Sequence, residues 1–359
     1  MEPKNIDTPL LELIERPVLC VKDGIVVSLN RAAAQMQIAP NTPIRELLPK
    51  DWEAYEQFKS GQLFLNLNIC QIPCGTVVIR RENMDYFIMD QQEDHDRLQA
   101  MALAAQQLRV PLSNVMTITD QFLANRHLEA SCELRTQAGK INQGLFQLLR
   151  ILSNMADAMR YAEAEPARME NCNLTVFIDE IFQKAKVLIG DTKVKLRYTG
   201  LSQNVFGMAS CEHLERGIYN LLSNAVKFSP KGGKVEAKLT QTGNFLSLSI
   251  LDHGSGISEE VQPTLFTRYR RQPGIEDSRY GIGLGMTMVR AAATIHGGTV
   301  LIDHPAQGGT RVTLTIAIRQ AEPNTVLRSP IQSICDYAGG WDHGLTELAQ
   351  LLSSDNYQG

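Results

Sequence analysis

Two consecutive stretches of this sequence repeat apolar residues in alternating steps of three and four, and no other feature limits the possible fold as strongly. In the first stretch, apolar or small residues occupy positions 98, 101, 105, 108, 112 and 115, and then Phe122 after a polar Thr119. In the second stretch they are Leu134, Ala138, Ile141, Leu145, Leu148, Leu152, Met155 and Met159. Such steps align the apolar residues along one side of a helix, as in a coiled-coil seam. Because residues 124–130 interrupt the pattern, the sequence predicts an antiparallel helical hairpin over residues 91–165.

A single hairpin of this kind cannot cover both of its own seams. Two hairpins from two chains cover them when they form a four-helix bundle. We therefore expect a homodimer through residues 91–165. The alternative is a hairpin that packs against the other domains of its own chain.

The residues before the hairpin predict a small α+β domain over residues 1–90. A turn at Lys22-Asp-Gly24 separates two β-rich runs, which indicates a β-hairpin, and Asn30 starts a short helix. Further strand-like runs occur at 63–70, 76–80 and 86–89. The pattern VKDGIVVSLNRAAAQM resembles the start of a PAS-type sensor domain. A ligand-free dimerisation or signal-relay module is the alternative, and a histidine-ligated haem is excluded because these residues contain no histidine.

The residues after the hairpin alternate between helical and strand patterns, which predicts an α/β sandwich over residues 172–319. The predicted helices are 173–188, 212–228 and 287–295, and the predicted strands are 193–199, 234–240, 245–251, 299–304 and 310–318. Residues 320–359 read as a linker with a short helix near 345–352. We expect this segment to dock on the body of the protein through Tyr337 and Trp341.

Charge and hydropathy exclude several classes of function. A net charge of −4 argues against a dedicated nucleic-acid binder. The chain has neither an apolar run of 18 residues nor an N-terminal signal pattern, so we expect no membrane span and a cytoplasmic location. Seven scattered cysteines fit a reducing compartment. The close spacing of Cys70 and Cys74 is only weak evidence for a metal site, because no second cysteine pair and no nearby histidine accompany them.

Three motifs in the third domain carry the chemistry. The first is Asn220-Leu-Leu-Ser-Asn224-Ala-Val-Lys227-Phe228, whose two asparagines lie one turn apart on a helix. Amide oxygens are hard ligands that suit Mg²⁺. Taken alone, a pair of asparagines is usually no more than the polar face of a helix.

The second and third motifs are glycine-rich turns beside predicted strand and helix ends. Asp252-His-Gly254-Ser-Gly256 directly follows a strand, where a carboxylate can accept a hydrogen bond from an exocyclic amino group. Its glycines let a flat ring approach the backbone closely. Gly281-Ile-Gly283-Leu284-Gly285 opens a helix, and its backbone amides can hold phosphate. The downstream acid of a dinucleotide-binding fold is missing, which disfavours NAD.

In this order, the three motifs resemble the N, G1 and G2 boxes of the GHKL-type ATPase fold. Residues 265–271 resemble the F box of that family, and His296-Gly-Gly298 and Gly308-Gly-Thr310 resemble its closing strands. The resemblance implies that the third domain is an α/β sandwich of the GHKL ATPase type. It also implies ATP and Mg²⁺ as cofactors.

The resemblance further implies a role for each matching residue. Asp252 would bind the adenine amino group, and Gly254 and Gly256 would shape the adenine pocket. Asn224 would coordinate Mg²⁺ with assistance from Asn220. The remaining roles fall to Lys227 near the phosphates, Phe228 near the base, and a mobile phosphate lid formed by Gly281, Gly283, Leu284 and Gly285.

A GHKL domain that follows a helical hairpin resembles a sensor histidine kinase. The first hairpin helix of that family carries His-Glu-Leu-Arg-Thr-Pro-Leu, and the matching stretch here is Gln106-Gln107-Leu-Arg-Val110-Pro111-Leu112. Gln106 therefore stands at the position of the phospho-accepting histidine of that family, and Gln107 stands at the position of the neighbouring acid. The lone pair of an amide nitrogen is delocalised into the carbonyl, so Gln106 is no nucleophile and Gln107 is a negligible base. Gln106 falls off the seam and should be exposed.

These observations favour a cytoplasmic, dimeric, histidine-kinase-like signalling protein that binds ATP and Mg²⁺ without phosphorylating itself. Its expected partners are a second copy of the chain and either a response regulator or an intact kinase. An active kinase that uses another acceptor, with His95 and His127 as poor candidates, is one alternative. A slow ATPase and a nucleotide-free scaffold are the others.

Overall fold

The computed structural model describes residues 11, 14, 16–70, 72–81, 83–89, 95–123, 132–162, 167–257, 284–321, 326–327 and 338–358. Its helices are α1 Arg31–Ala34, α2 Ile44–Leu47, α3 Trp52–Gln57, α4 His95–Leu123, α5 Cys132–Ala162, α6 Leu174–Ile189, α7 Cys211–Phe228, α8 Gly285–Ile295 and α9 His343–Glu347. Its strands are β1 Val18–Lys22, β2 Ile25–Leu29, β3 Gln62–Ile69, β4 Ile72–Arg81, β5 Met84–Met89, β6 Glu170–Asn173, β7 Lys195–Thr199, β8 Phe206–Ala209, β9 Lys234–Thr242, β10 Phe245–Asp252, β11 Val300–Asp303 and β12 Thr310–Ala317. The predicted features at Gly281, Gly283, residues 265–271, His127 and Tyr337 lie outside the described residues.

The first β-hairpin forms where the sequence predicts it. Asp23 and Gly24 both have positive φ, which matches the twist of the flanking strands in a two-residue turn. Asn30 then caps α1, because its Oδ1 accepts hydrogen bonds from the backbone N–H groups of Ala33 and Val18 at 3.0 Å. Its amide also donates to the carbonyl of Arg16 at 2.6 Å. One buried side chain therefore joins the entry to β1, the end of the hairpin and the start of α1.

The N-terminal and C-terminal strands form one continuous sheet in the described part of the chain. Its order is β2-β1-β5-β4-β3-β11-β12-β10-β9-β7, and the join is an antiparallel pair of β3 with β11. Gly61 lies against this join with φ +94, and a Cβ there would overlap the carbonyl oxygen of Ile302. The guanidinium of Arg290 on α8 also lies 4.3 Å from the ring centroid of Phe64. The first domain therefore packs directly on the third, in addition to its chain connection to the hairpin.

The two long helices α4 and α5 lie against each other and share an apolar core. Ala105, Leu112 and Met116 of α4 are buried, as are Ala138 and Phe146 of α5. A second set of apolar residues, at seven-residue spacing on each helix, stays about half exposed. We call it the outer stripe: Leu108, Val115 and Phe122 on α4, and Leu134, Ile141 and Leu148 on α5.

Several predicted boundaries shift for identifiable reasons. The predicted helix from residue 173 begins at Leu174, because Asn173 is its N-cap and accepts a hydrogen bond from the N–H of Val176. The predicted strand from residue 193 begins at Lys195, since Lys193 has φ +62 and follows a 3₁₀ turn. The helix predicted near 345–352 is wrong in position. It spans His343–Glu347, with Asp342 as its N-cap, and irregular turns follow it.

The C-terminal segment 338–358 packs on α5. The ring of Phe146 lies between Trp341, at a centroid distance of 5.7 Å, and Tyr357, at 5.0 Å. Gln143 and Gln147 donate side-chain hydrogen bonds to backbone carbonyls of the segment at 2.6 and 3.1 Å. The expected docking through Trp341 is confirmed, and its contact is the hairpin helix.

A buried histidine makes the stability of the sandwich sensitive to acid. His296 follows α8, with its Nδ1 donating to the carbonyl of Ala292 at 2.7 Å and its Nε2 accepting from the N–H of Ser210 at 3.0 Å. Burial lowers the pKa of His296 from 6.5 to about 4. Between these values the unfolded chain binds a proton that the folded chain does not, so folding loses stability as pH falls from 6.5 to 4. Since one pKa unit corresponds to about 1.4 kcal/mol, the loss is about 3 kcal/mol.

Urea unfolding of the wild type and of His296→Gln at pH 7.0, 6.0, 5.0 and 4.5 measures this loss. We expect the variant to be less stable at pH 7, because it loses buried contacts, but to depend less on pH. Parallel curves for the two proteins would contradict the prediction, since the carboxylates that titrate in the same range are common to both.

Candidate functional site

Helix α7 presents the first predicted motif at the edge of the sandwich. Its apolar face is buried, through Ile218, Leu221, Leu222 and Val226. Asn224, one turn after Asn220, has its amide nitrogen 3.6 Å from the sulfur of Met286 on α8. A Cβ on Gly285 would lie 3.0 Å from Oδ1 of Asn220. The asparagine motif and the start of α8 are therefore in direct contact.

The predicted lid residues that the structure describes belong to α8. Gly285 is the first residue of this helix, two residues earlier than the sequence predicts, and Leu284 is its N-cap. Leu284 is also buried in the apolar core. These two residues therefore anchor the end of the glycine motif.

Asp252 ends β10 and is almost fully buried. Its Oδ1 accepts hydrogen bonds from the backbone N–H groups of Gly254, at 2.9 Å, and Thr310, at 3.3 Å. Burial raises the pKa of Asp252, and the two N–H groups act in the opposite direction because they stabilise the carboxylate. Both bonds orient the side chain through the same oxygen.

Close backbone approaches around Asp252 require glycine. A Cβ on Gly254 would overlap the carbonyl oxygen of Phe228, so the turn after β10 lies against the end of α7. Gly309 has φ +87, and a Cβ there would overlap the carbonyl oxygen of Asp252. Gly256 also has a positive φ, of +78. The end of α7, the end of β10 and the turn before β12 therefore meet at one place.

Lys227 and Phe228 lie at the edge of the junction between α7, β10 and the turn before β12. The ammonium nitrogen of Lys227 is 5.5 Å from the ring centroid of Phe228, and the ring is 40% exposed. An exposed aromatic ring beside a cation suits contact with a nucleotide base and its phosphates.

Asn220 is bound to a helix outside the sandwich. It is 1% exposed, its Oδ1 accepts a hydrogen bond from Nη2 of Arg150 on α5 at 3.0 Å, and its amide donates to the carbonyl of Arg216 at 2.9 Å. Sequence reasoning missed Arg150. The available signal was a single charge inside the apolar run Leu148-Leu-Arg-Ile-Leu152.

On α4, Gln106 is exposed, as predicted for its position off the seam, and Gln107 is exposed as well. Pro111 lies within the same helix, and Leu112 faces the core of the hairpin. The side chain at position 106 is therefore accessible to a reaction partner.

Within the described residues, no group of three or more histidine, cysteine, aspartate or glutamate side chains could hold a metal ion. Cys70 is exposed, and its sulfur lies 3.8 Å from the amide oxygen of Gln37. A Mg²⁺ site here would depend on amide oxygens. In the same part of the chain, no helix has the length and apolar content that crossing a bilayer requires.

Comparison with known proteins agrees with this geometry. Residues 210–320 match the family described as histidine kinase-, DNA gyrase B-, and HSP90-like ATPase. The sandwich that contains them therefore has the GHKL ATPase-type α/β fold. This match covers α7, β9 to β12, α8 and the residues between them.

Similar proteins include several histidine kinases. Hybrid signal transduction histidine kinase D of Dictyostelium discoideum is 26% identical over 297 residues, which are 79% of this chain and 18% of that protein. Histidine protein kinase DivJ of Caulobacter vibrioides is 31% identical over 239 residues, or 63% of this chain and 40% of that protein. Sensor histidine kinase CusS of Escherichia coli K12 is 27% identical over 217 residues, or 59% and 44%. The chain thus spans less than half the length of each of these relatives.

Solved structures of histidine kinases are also similar to the chain. Full-length ShkA in complex with AMPPNP has a TM-score of 0.49 at 18% identity, and the match covers 65% of this chain and 47% of that chain. ThkA in complex with the response regulator TrrA has a TM-score of 0.42 at 14% identity, with 88% and 98% covered.

Proposed function

Since the chain is a protein of the histidine kinase family, we propose that it binds Mg²⁺-ATP and uses this binding to signal, without transferring phosphate to its own hairpin. The nucleotide occupies the place where α7, the end of β10 and the start of α8 meet. The output is conformational, because bound ATP favours one arrangement of sandwich and hairpin over another.

The buried carboxylate of Asp252 is the observation that carries this proposal. Its Oδ1 already accepts two backbone hydrogen bonds, from Gly254 and Thr310, so Oδ2 is the oxygen for a ligand donor. The exocyclic amino group of adenine is such a donor, whereas guanine presents a carbonyl oxygen at the equivalent position. A carboxylate therefore selects adenine over guanine.

The polar end of α7 suits the triphosphate. Asn224 supplies an amide oxygen for Mg²⁺, and Lys227 supplies a positive charge for the phosphates. The lid motif Gly281-Ile-Gly283-Leu284-Gly285 leads into α8, whose N-terminal N–H groups favour anions. Phe228, half exposed at the rim, covers the base.

The chemistry of α4 supports a protein that does not accept phosphate. An amide at position 106 has no free lone pair on nitrogen, and an amide at position 107 cannot take up a proton near neutral pH. Both side chains are exposed, so burial does not keep a reaction partner from position 106.

The outer stripe supports a homodimer through the hairpin. Three apolar residues on each helix repeat at seven-residue spacing and remain about half exposed. A second hairpin, related by a two-fold axis, would cover them and complete a four-helix bundle. A response regulator or an intact kinase is the further partner that we propose for such a dimer.

Titration calorimetry with Mg²⁺-ATP on the wild type and on Asp252→Asn tests nucleotide binding. The two backbone N–H groups would hold the amide oxygen of the variant, so its NH₂ group would face the adenine amino group. Both of these groups are donors, so the hydrogen bond to adenine is lost. Loss of a hydrogen bond to a charged group costs about 1.5–3 kcal/mol, so we expect affinity to fall roughly 10- to 100-fold.

Asp179→Asn is the matched control, because it neutralises a carboxylate of α6 that accepts a hydrogen bond from Tyr198 on β7, a strand that β9 separates from β10. We expect it to bind like the wild type. Unchanged affinity in Asp252→Asn would contradict the proposal.

A further inference from the structure

Two arginines and two carboxylates are buried where three segments of the chain meet. Arg150 and Asp157 come from hairpin helix α5, Arg216 comes from α7, and Glu347 ends the C-terminal helix α9. None of the four is more than 7% exposed, and Glu347 is fully buried. We call these four residues the latch.

Glu347 binds the hairpin and the sandwich at the same time. Its Oε2 accepts a hydrogen bond from Nε of Arg150 and its Oε1 accepts one from Nε of Arg216, both at 3.2 Å. Arg216 also pairs with Asp157 and donates to Oδ1 of Asn154 at 2.7 Å. The two positive and two negative charges balance, which a buried cluster requires, because an uncompensated buried charge is strongly destabilising.

The latch extends directly into the nucleotide site. Nη2 of Arg150 donates to Oδ1 of Asn220 at 3.0 Å, and Nη1 lies 3.4 Å from Ser223 Oγ and 3.5 Å from Gln350 Oε1. All three guanidinium nitrogens thus have partners on α7 and the C-terminal segment. Arg150 is held as part of a packed junction, which favours a locking role over a role as a phosphate contact.

A guanidinium on the oxygen of Asn220 opposes a metal ion there. Mg²⁺ would need this oxygen as a ligand or near neighbour, and Arg150 places a positive charge 3.0 Å from it. A metal ion bound to the same oxygen would lie close to this charge and be repelled by it, especially where burial limits screening by water. The closed latch and bound Mg²⁺-ATP therefore disfavour each other.

We propose that the C-terminal segment is an autoinhibitory element, which locks α5 onto α7 through Glu347 and withholds Asn220 from Mg²⁺-ATP. This inference rests on the proposed nucleotide binding and adds its regulation. Because coupling between two sites is reciprocal, Mg²⁺-ATP opens the latch to the same extent that the latch weakens Mg²⁺-ATP. The contacts of Trp341 and Tyr357 with Phe146 hold the segment in place.

Calorimetry on Arg150→Met and on the double variant Arg150→Met/Glu347→Gln tests the proposal. The double variant removes one charge of each sign and leaves the Arg216–Asp157 pair, so the junction stays balanced. We expect both variants to bind Mg²⁺-ATP more tightly than the wild type, by a factor within the usual range for coupled sites of about 5 to 150. Lys184→Gln is the control. It removes an exposed ion pair between Lys184 on α6 and Asp342 of the C-terminal segment, and should leave the affinity for Mg²⁺-ATP unchanged.

Hydrogen exchange of the wild type supplies a test that needs no variant. We expect Mg²⁺-ATP to increase the exchange of backbone amides in residues 338–358, because binding opens the latch. Unchanged protection of this segment at saturating nucleotide would overturn the proposal.

The other possible results of the calorimetry separate failure of the latch from failure of the proposed function. Unchanged affinity in both variants, with melting temperatures that show a folded protein, would overturn the latch and leave the proposed function standing. Reduced affinity would also overturn it, by showing that Arg150 contributes to binding the phosphates. Absence of binding in the wild type and in both variants would overturn the proposed function, and the latch as its regulator with it.

Discussion

A chain in which Gln106 is replaced by histidine and Gln107 by glutamate is expected to phosphorylate itself from Mg²⁺-ATP. The imidazole supplies the nitrogen lone pair that attacks the terminal phosphorus, the bond to the β-phosphate oxygen breaks, and ADP leaves. The new glutamate accepts the imidazole proton. Positions 106 and 107 are both exposed on α4, so the replacement introduces no buried charge.

Incubation with γ-labelled ATP, followed by acid and alkali treatment, measures this reaction. We expect no label on the wild type and an acid-labile label on the double variant. Gln106→His alone should label more slowly, by about the 10²- to 10⁴-fold that a positioned general base contributes. The double variant combined with Asp252→Asn is the control and should label much less, because nucleotide binding is weakened.

Two results would contradict the interpretation of α4. Acid-labile label on the wild type would show that another residue accepts phosphate, as in the alternative of an active kinase. A double variant that binds Mg²⁺-ATP but carries no label would show that phosphate transfer fails for a reason other than the two glutamines.

A single charge in the outer stripe is expected to convert the protein from a dimer to a monomer. Val115, about half exposed in the single chain, lies at the centre of the α4 stripe. In a two-fold bundle, Val115→Glu places two carboxylates in the apolar seam without partners. An uncompensated buried charge costs about 3–5 kcal/mol, so we expect dimer affinity to fall at least 10²-fold.

Sedimentation velocity over a range of protein concentrations measures this change. Asn114→Glu is the matched control, because it introduces the same charge one residue earlier, at an exposed position about 100° around the helix. We expect it to remain dimeric. A monomeric wild type, or a Val115→Glu variant that dimerises like the wild type, would contradict the proposed homodimer.

The sequence predicted the elements whose signals are local. The heptad spacing predicted both hairpin helices, and period-two alternation predicted β9 and β10 to within two residues of their ends. It missed α2, α3 and the two-stranded sheet of β6 and β8, because these elements are short and carry few periods of any pattern. It also read Lys193 as strand, where a left-handed backbone delays the start of β7.

The residues of the candidate site also fall into those that local motifs predicted and those that they did not. Asp252, Asn224 and the glycines around them follow from short motifs, since each motif lies within a few residues along the chain. Arg150 and Glu347 did not follow, although both belong to the same buried cluster as Asn220. They are separated from it by 70 and 127 residues of sequence, and no motif spans such distances.

Periodicity, motif spacing and the resemblance they carry thus determined the helices of the hairpin, strands β9 to β12 of the sandwich and the chemistry that position 106 lacks. These properties depend on side-chain type and local backbone geometry, which the order of residues contains directly. The pairing of β3 with β11, the exposure of the outer stripe and the position of Glu347 between two arginines were decided only by the tertiary structure. Each depends on which surfaces are buried against each other, and burial is set by the packing of the whole chain.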